Sequence, residues 1–136
     1  MILTIDTTDR NKIEIGLFDG KIHRCFEFIT EKPHFVPQGG TSRGKQSEDL
    51  LIAIDGILKQ QKSSLKNLQA ILVNRGPGSF TGIRVGVTTV NTLGWVLNIP
   101  VFSFSSKDFD QSLLKVEKSN IKEFLKPVFP YYSKSL

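Results

Sequence analysis

The sequence predicts a single α/β lobe built on a mixed five-stranded sheet in the order β-β-β-α-β-α-β, and three features carry that reading. The first thirty residues hold three short apolar runs separated by polar turns, as a β-meander does. Two stretches with helical spacing follow, alternating with two further β-rich runs. The last strand is then reached through a strand–helix–strand connection, whose right-handed crossover returns the chain to the same sheet.

The elements follow in order. Residues 2–6 (ILTID) are an apolar run closed by an acid, and residues 12–18 alternate Ile13, Ile15 and Leu17 against polar or small neighbours. Asp19-Gly20 is a two-residue hairpin signal that needs positive φ, so residues 22–28 continue as a third strand. Residues 29–46 carry two prolines, a Gly-Gly pair and Gly44, the composition of a long loop. Ser47 is placed as a helix N-cap with Glu48 and Asp49 in the first turn, where acids meet the open N–H groups. Leu50, Leu51, Ile54, Ile57 and Leu58 make residues 48–61 an amphipathic helix. Residues 70–74 (AILVN) form the fourth strand, residues 83–97 a second helix that Pro100 ends, and residues 101–104 the fifth strand. Helices are expected on the faces of this sheet, and short helical or extended pieces over residues 107–136.

Composition sets the bounds. A chain of 136 residues, 39% hydrophobic, suits one domain with its own core. The net charge of +5 would allow contact with RNA or acidic partners, but the basic residues are scattered. One cysteine, Cys25, excludes an intramolecular disulfide and every multi-cysteine zinc pattern, which suits a reducing compartment and makes the cytoplasm the expected location. No basic-then-apolar leader and no apolar run of ~18 residues is present, so neither export nor membrane insertion is expected.

The stretch RGPGSFTGIRVGV, residues 75–87, raises the question of an anion site, because backbone N–H groups at a helix start attract phosphates. It departs from the phosphate-binding patterns. Gly82 is followed by Ile83 and Arg84 where the P-loop has Lys and Ser or Thr, and Gly76, Gly78 and Gly82 are one residue out of step with G-x-G-x-x-G. The alternative is a tight strand-to-helix turn in which glycines take positive φ and Thr81 caps the helix. Asp6, followed by Thr7 and Thr8, has two readings as well: a carboxylate holding a metal through water, or a turn acid bonded to its own backbone. Neither His23 nor His34 has a second ligand at metal spacing. Cys25 shares the alternating face of His23 and is expected to be a small buried hydrophobe.

The second helix stands out for having no charged residue after Arg84. Gly86, Thr88, Thr89, Thr92 and Gly94 interrupt its apolar residues Val85, Val87, Val90, Leu93, Trp95, Val96 and Leu97. A helix lacking a solvated face is buried on more than one side, so it is either central to a single core or half of an interface, and in so small a domain the interface is the favoured reading.

The motifs MILTIDTT, QSEDLLIAIDGIL, AILVN, RGPGSFTGIRVGV and IPVFSFSS together resemble the TsaB (YeaZ) family over residues 1–106. The resemblance implies an actin-like ATPase (ribonuclease H-like) lobe that is not itself an enzyme. It implies a role in making N6-threonylcarbamoyladenosine beside the anticodon of tRNAs reading codons that begin with A. The implied partner is TsaD, which carries the metal and transfers the threonylcarbamoyl group. TsaD would be bound as a heterodimer through helices 48–61 and 83–97, with TsaE joining the pair and a homodimer forming when the chain is alone. On those helices the junction would use Asp49, Ile52 and Gly56 together with Val85, Thr88, Thr89, Thr92 and Trp95. The histidine pair of the TsaD metal motif has no counterpart in Gln46-Ser47-Glu48-Asp49. No cofactor is expected on this chain alone; ATP or ADP and metal belong to the complex. Any anion contact, shared across the junction, would fall to Asp6, Arg75, Gly76, Gly78, Ser79, Thr81, Gly82 and Arg84. Contact with tRNA is expected to be indirect or weak. The family continues into a second lobe, for which residues 107–136 are too short, so this chain reads as a minimal form with a brief tail.

Three other readings compete. A small kinase-like phosphotransferase would use Asp6 and the 76–82 turn, but one lobe, no lysine at the phosphate loop and no catalytic base count against it. A peptidase lacks an activated nucleophile. An RNA-binding module would use Lys115, Lys118, Lys122 and Lys126, diluted by Glu117 and Glu123.

Overall fold

The computed structural model describes residues 1–29 and 45–105, with side chains of the second span from residue 49 onward. Five strands form one sheet: β1 (Ile2–Asp6), β2 (Lys12–Phe18), β3 (His23–Ile29), β4 (Ala70–Asn74) and β5 (Val101–Phe104), in the spatial order β3-β2-β1-β4-β5. β1, β2 and β3 pair antiparallel as the meander requires, whereas β4 runs parallel to β1 and β5 parallel to β4. Helices α1 (Lys45–Gln60) and α2 (Phe80–Leu97) supply the connections around that parallel part.

Alternation along the strands sorts the core. Leu3, Ile5, Ile13, Ile15, Leu17, Ile71 and Val73 point to one face and form a cluster with Leu50, Ile54, Ile57 and Leu58 of α1 and Ile83, Val87 and Val90 of α2. Ile2, Ala70, Leu72 and Phe104 gather on the opposite face, with Phe18 and Phe102 against them. Among the described residues both helices therefore lie on one face of the sheet, a correction to the expectation of helices on both. They also pack against each other, and α2 crosses the central strands β1 and β4. At about 1.5–3 kcal/mol for each fully buried aliphatic side chain, this two-helix layer is the main source of the lobe's stability.

At the hairpin the expected turn forms only in part: of the Asp19-Gly20 pair Gly20 alone has positive φ, and the Asp19 N–H bonds the Ile22 carbonyl, so the turn is centred one residue later, on Gly20 and Lys21. Gly20 has φ +99°, and Asp19 Oδ1 accepts the Lys21 and Ile22 N–H groups, each at 2.9 Å. Those two bonds, that of Ile22 first, hold the Asp19 carboxyl below the usual carboxylate range. The third strand begins at His23 rather than at residue 22, because Ile22 closes the turn through its N–H and carbonyl.

Both helices start earlier than periodicity indicates. α1 begins at Lys45, so Ser47 stands inside the helix backbone and is not its cap. α2 begins at Phe80, capped by Ser79, whose Oγ accepts the Gly82 N–H at 3.3 Å; Thr81 is already in the first turn. The serine wins because it lies one residue before the helix, where a side-chain oxygen reaches the third N–H beyond it. The far end is closed by Asn98 in the left-handed region, a conformation asparagine tolerates. The expected loop over residues 29–46, His34, and the expected tail over residues 107–136 with its lysines lie outside the described residues, apart from Ile29 and the start of α1.

Candidate association face and the turn that positions it

The turn from β4 into α2 is held from two sides. Asn74, fully buried at the end of β4, donates from Nδ2 to Asp6 Oδ2 at 3.0 Å, and its Oδ1 accepts the Gly76 N–H at 3.0 Å. Asp6 Oδ1 accepts the Thr8 N–H at 2.9 Å and the Thr8 hydroxyl at 2.6 Å. Asp6 thus follows the turn-acid reading, extended across the sheet to Asn74, and both its oxygens have partners inside the lobe.

Thr8 fixes the turn itself. Its carbonyl accepts the Ser79 N–H at 2.7 Å, and a Cβ on Gly78 would overlap Thr8. Only Gly76 of the three glycines in this turn has positive φ, at +109°, and the Gly76–Pro77 peptide is cis. Gly78 is required by close approach to Thr8 and not by its backbone angle. The Gly76, Ser79 and Gly82 N–H groups are all bonded within the turn and its anchors. Arg75 leaves β4 exposed, with its N–H on the Phe104 carbonyl at 3.0 Å. Arg84 lies with its guanidinium 5.5 Å from the ring centroid of Phe80. Asp6, Arg75, Gly76, Gly78, Ser79, Thr81, Gly82 and Arg84 are therefore neighbours along one turn and its anchors, and the bonds among them are structural.

Seating α2 on the sheet takes the small residues on its inner side. Thr7, buried after β1, donates from Oγ1 to the Gly82 carbonyl at 2.6 Å, and Gly86 has no room for a Cβ because Thr7 Oγ1 lies there. Gly94 meets Val101 in the same way. The glycines of α2 thus serve approach to its own sheet, while Thr88 and Thr92 face outward. This separates two roles that the composition of the helix had joined.

The outward side of α2 is bare. Phe80, Arg84, Thr88, Thr92, Trp95 and Val96 are exposed, with Val85 and Thr89 half-buried. Trp95 is 85% exposed, the most exposed large hydrophobic residue among those described. On α1, Ile52 is 70% exposed, beside exposed Asp49 and Gly56. The predicted junction residues fall into two groups: Asp49, Ile52 and Gly56 line a groove of about 560 Å³ with Ile13, Phe28 and Ile29 of the sheet, and the others stand on α2. The groove was not foreseen, because residues of β2 and β3 far from α1 in the sequence form its other wall.

Cys25 departs from expectation. It is exposed on the edge strand β3, with Sγ 3.5 Å from His23 Nδ1. Burial of the sulfur beside that ring, and then the charge of Glu14, push its thiol above the usual value, opposite to an activated nucleophile. Among the described residues no group of three potential ligands could hold a metal, and no helix is long and apolar enough to cross a membrane.

A mixed sheet ordered β3-β2-β1-β4-β5 with two helices on one face is the α/β lobe of actin-like and ribonuclease H-like proteins. YeaZ from Pseudomonas aeruginosa superposes with a TM-score of 0.61 at 24% identity, over 76% of this chain and 43% of that one. RuvC from T. thermophilus, in complex with a Holliday junction substrate, superposes at 0.51 with 12% identity, over 85% of this chain and 71% of its own. These likenesses show the fold. A family model described as TsaD: tRNA N6-adenosine threonylcarbamoyltransferase matches residues 30–110, more than half the chain, and the chain belongs to that family, among its TsaB (YeaZ) members. The tRNA threonylcarbamoyladenosine biosynthesis protein TsaB of Bacillus subtilis is 43% identical over 54 residues, 40% of this chain and 24% of that protein. The protein of the same name in Escherichia coli is 30% identical over 106 residues, 77% of this chain and 40% of its own length. The chain spans less than half the length of these curated relatives.

Proposed function

We propose that this chain is a non-catalytic partner subunit in the synthesis of N6-threonylcarbamoyladenosine in tRNA, and that it binds and stabilises TsaD through the outer faces of α1 and α2. The bare apolar side of that helix layer carries the proposal: Trp95 and Val96 on α2 and Ile52 on α1 stand in water on a lobe whose relatives bear the name of that biosynthesis. Covering such side chains is worth about 1.5–3 kcal/mol each when burial is complete. The threonines between them let a partner helix come close. An accessory role is favoured by the turn, where the Asp6 carboxylate and three N–H groups are bonded inside the lobe.

In this reading residues 1–106 act as the binding lobe. ATP or ADP and metal belong to the complex, with Arg75 and Arg84 at the junction, and TsaE joins the assembled pair. Contact with tRNA passes through TsaD. The experiment is copurification of TsaD with Ile52→Glu and Val85→Glu chains, each checked for its melting transition. Loss of TsaD from folded variants is expected, and unchanged binding by both overturns the proposal. Reconstitution of the tRNA modification with and without this chain then measures its contribution.

A further inference from the structure

We infer that the outer edge of β3, with the groove between that strand and α1, docks an extended segment of another protein in which basic and apolar residues alternate. The segment adds to the sheet antiparallel to β3, its apolar side chains turned to the groove and its basic ones to the opposite face. The inference is independent of the TsaD reading, which has its own test on Val85 of α2.

The hairpin fixes which backbone groups of β3 point outward. The Asp19 N–H bonds the Ile22 carbonyl, and in the register of β2 with β3 the pairs Leu17–Arg24, Ile15–Phe26 and Ile13–Phe28 repeat that bonded position. Cys25, Glu27 and Ile29 alternate with them and turn their N–H and C=O groups away from β2. On that side no further strand stands among the described residues, because β3 is outermost in the sheet. Such a row of backbone groups is what an added strand pairs with.

Side chains on the two faces of this edge specify the occupant. Asp6, Glu14 and Glu27 are cross-strand neighbours on β1, β2 and β3, so a row of carboxylates crosses the face opposite the helices and ends at the edge. Lys12 is bonded into the row at 3.0 Å from Glu14, and it is held above its ordinary value by Glu14 first and then by the charge of Glu27. Like charges set directly opposite, as Glu14 and Glu27 are, destabilise a sheet. A lysine or arginine opposite Glu27 on an added strand relieves that repulsion. On the other face the added strand runs beside Phe26 and Phe28, where a groove of about 560 Å³ lies between Phe28 and Ile29 of the edge and Ile52 and Gly56 of α1. Phe28 and Ile29 are exposed, and Gly56 leaves open space on the helix wall. Side chains of a strand alternate between its faces, so the two demands together call for alternating basic and apolar residues.

The test uses the full chain and a capped peptide of alternating lysine and valine, 7 residues long to match β3. Calorimetry is expected to show binding that weakens as salt is raised, and hydrogen exchange is expected to slow at the amides of Cys25, Glu27 and Ile29. A peptide of alternating glutamate and valine should bind about tenfold more weakly or worse. The chain carries a net charge of +5, so diffuse attraction would favour the glutamate peptide, and the opposite preference reports the local row of carboxylates. Glu27→Lys should invert the preference. Cys25→Pro should abolish binding and keep the fold, because an edge strand tolerates proline where the N–H points outward. Methylating alternate peptide nitrogens should abolish binding with the protein unchanged. Equal binding of both peptides, unchanged exchange at those amides, or indifference to peptide methylation overturns the inference. Self-association that Cys25→Pro removes, with no protection by peptide, assigns the edge to a second copy and overturns it as well.

Discussion

His23 Nε2 on β3 and Thr4 Oγ1 on β1 share a hydrogen bond of 3.1 Å that passes over Gly16 on the strand between them. Thr4 is buried, so the bond ties a core position to the edge strand. A Cβ on Gly16 would overlap both the imidazole and the threonine hydroxyl. Gly16→Ala is therefore expected to cost about 1–3 kcal/mol, although alanine normally suits a strand better than glycine. Urea unfolding measures the loss. In a His23→Ala background the same change should cost clearly less, because one of the two clashing groups is gone; equal costs in both backgrounds would show that the imidazole does not occupy that space.

Gly86 poses the same question in a helix, where propensity and packing oppose each other. Alanine gains about 0.8–1 kcal/mol over glycine in a helix interior. At Gly86 its methyl would overlap Thr7 Oγ1, the hydroxyl that bonds the Gly82 carbonyl and seats α2 on β1. The overlap is expected to win, leaving Gly86→Ala destabilised by about 1–2 kcal/mol. With Thr7→Ala in place the sign should reverse and propensity should show. Thermal melting of the two single variants and the double variant reads the reversal.

These two glycines mark where sequence reading stops. Strands β1, β2, β4 and β5 were legible to the residue, because alternation and short apolar runs between polar turns leave one register that buries Leu3, Ile5, Ile71 and Val73 together. Helix starts were not, since Phe80 and Thr81 continue α2 outward beyond the apolar stripe and the cap that decides the start is a local bond from Ser79. The composition of α2 signalled unusual packing, but its glycines and threonines were indistinguishable as small residues. Only the fold shows that Gly86 and Gly94 face the sheet and Thr88 and Thr92 face away. Asn74 gave no signal of its link to Asp6, because the two become neighbours only when β4 lies beside β1.

Cys25 offers a pH measurement without interference, being the only thiol. Burial beside His23, and secondarily the Glu14 charge, raise its pKa, so the thiolate form should appear later on alkaline titration than in a free cysteine, whose midpoint is about 8.5. Alkylation by iodoacetamide under native conditions should accelerate with a midpoint above that value. Glu14→Gln removes the smaller cause and should move the midpoint down, leaving the burial effect in place. A midpoint at or below that of free cysteine would refute the assignment of cause.

Asn74→Asp tests the link between β1 and the turn with almost no change of shape. The native side chain donates to Asp6 Oδ2 and accepts from the Gly76 N–H. An aspartate keeps the acceptor for Gly76 but replaces the donor with a second carboxylate oxygen against Asp6, in a fully buried position. Two carboxylates in contact cannot both ionise cheaply, so the pair in the folded variant should hold a proton that the unfolded chain has lost by neutral pH. The folded state then binds more protons than the unfolded state between the ordinary carboxylate value of about 4 and the raised value of the pair, and stability must rise as pH falls through that window. At pH 7 the variant is expected to lose about 2–4 kcal/mol, and at pH 5 distinctly less. Denaturant unfolding at the two pH values decides it, with Asn74→Ala as the control: that variant leaves the Gly76 N–H unpaired, introduces no new acid, and should lose the same stability at both.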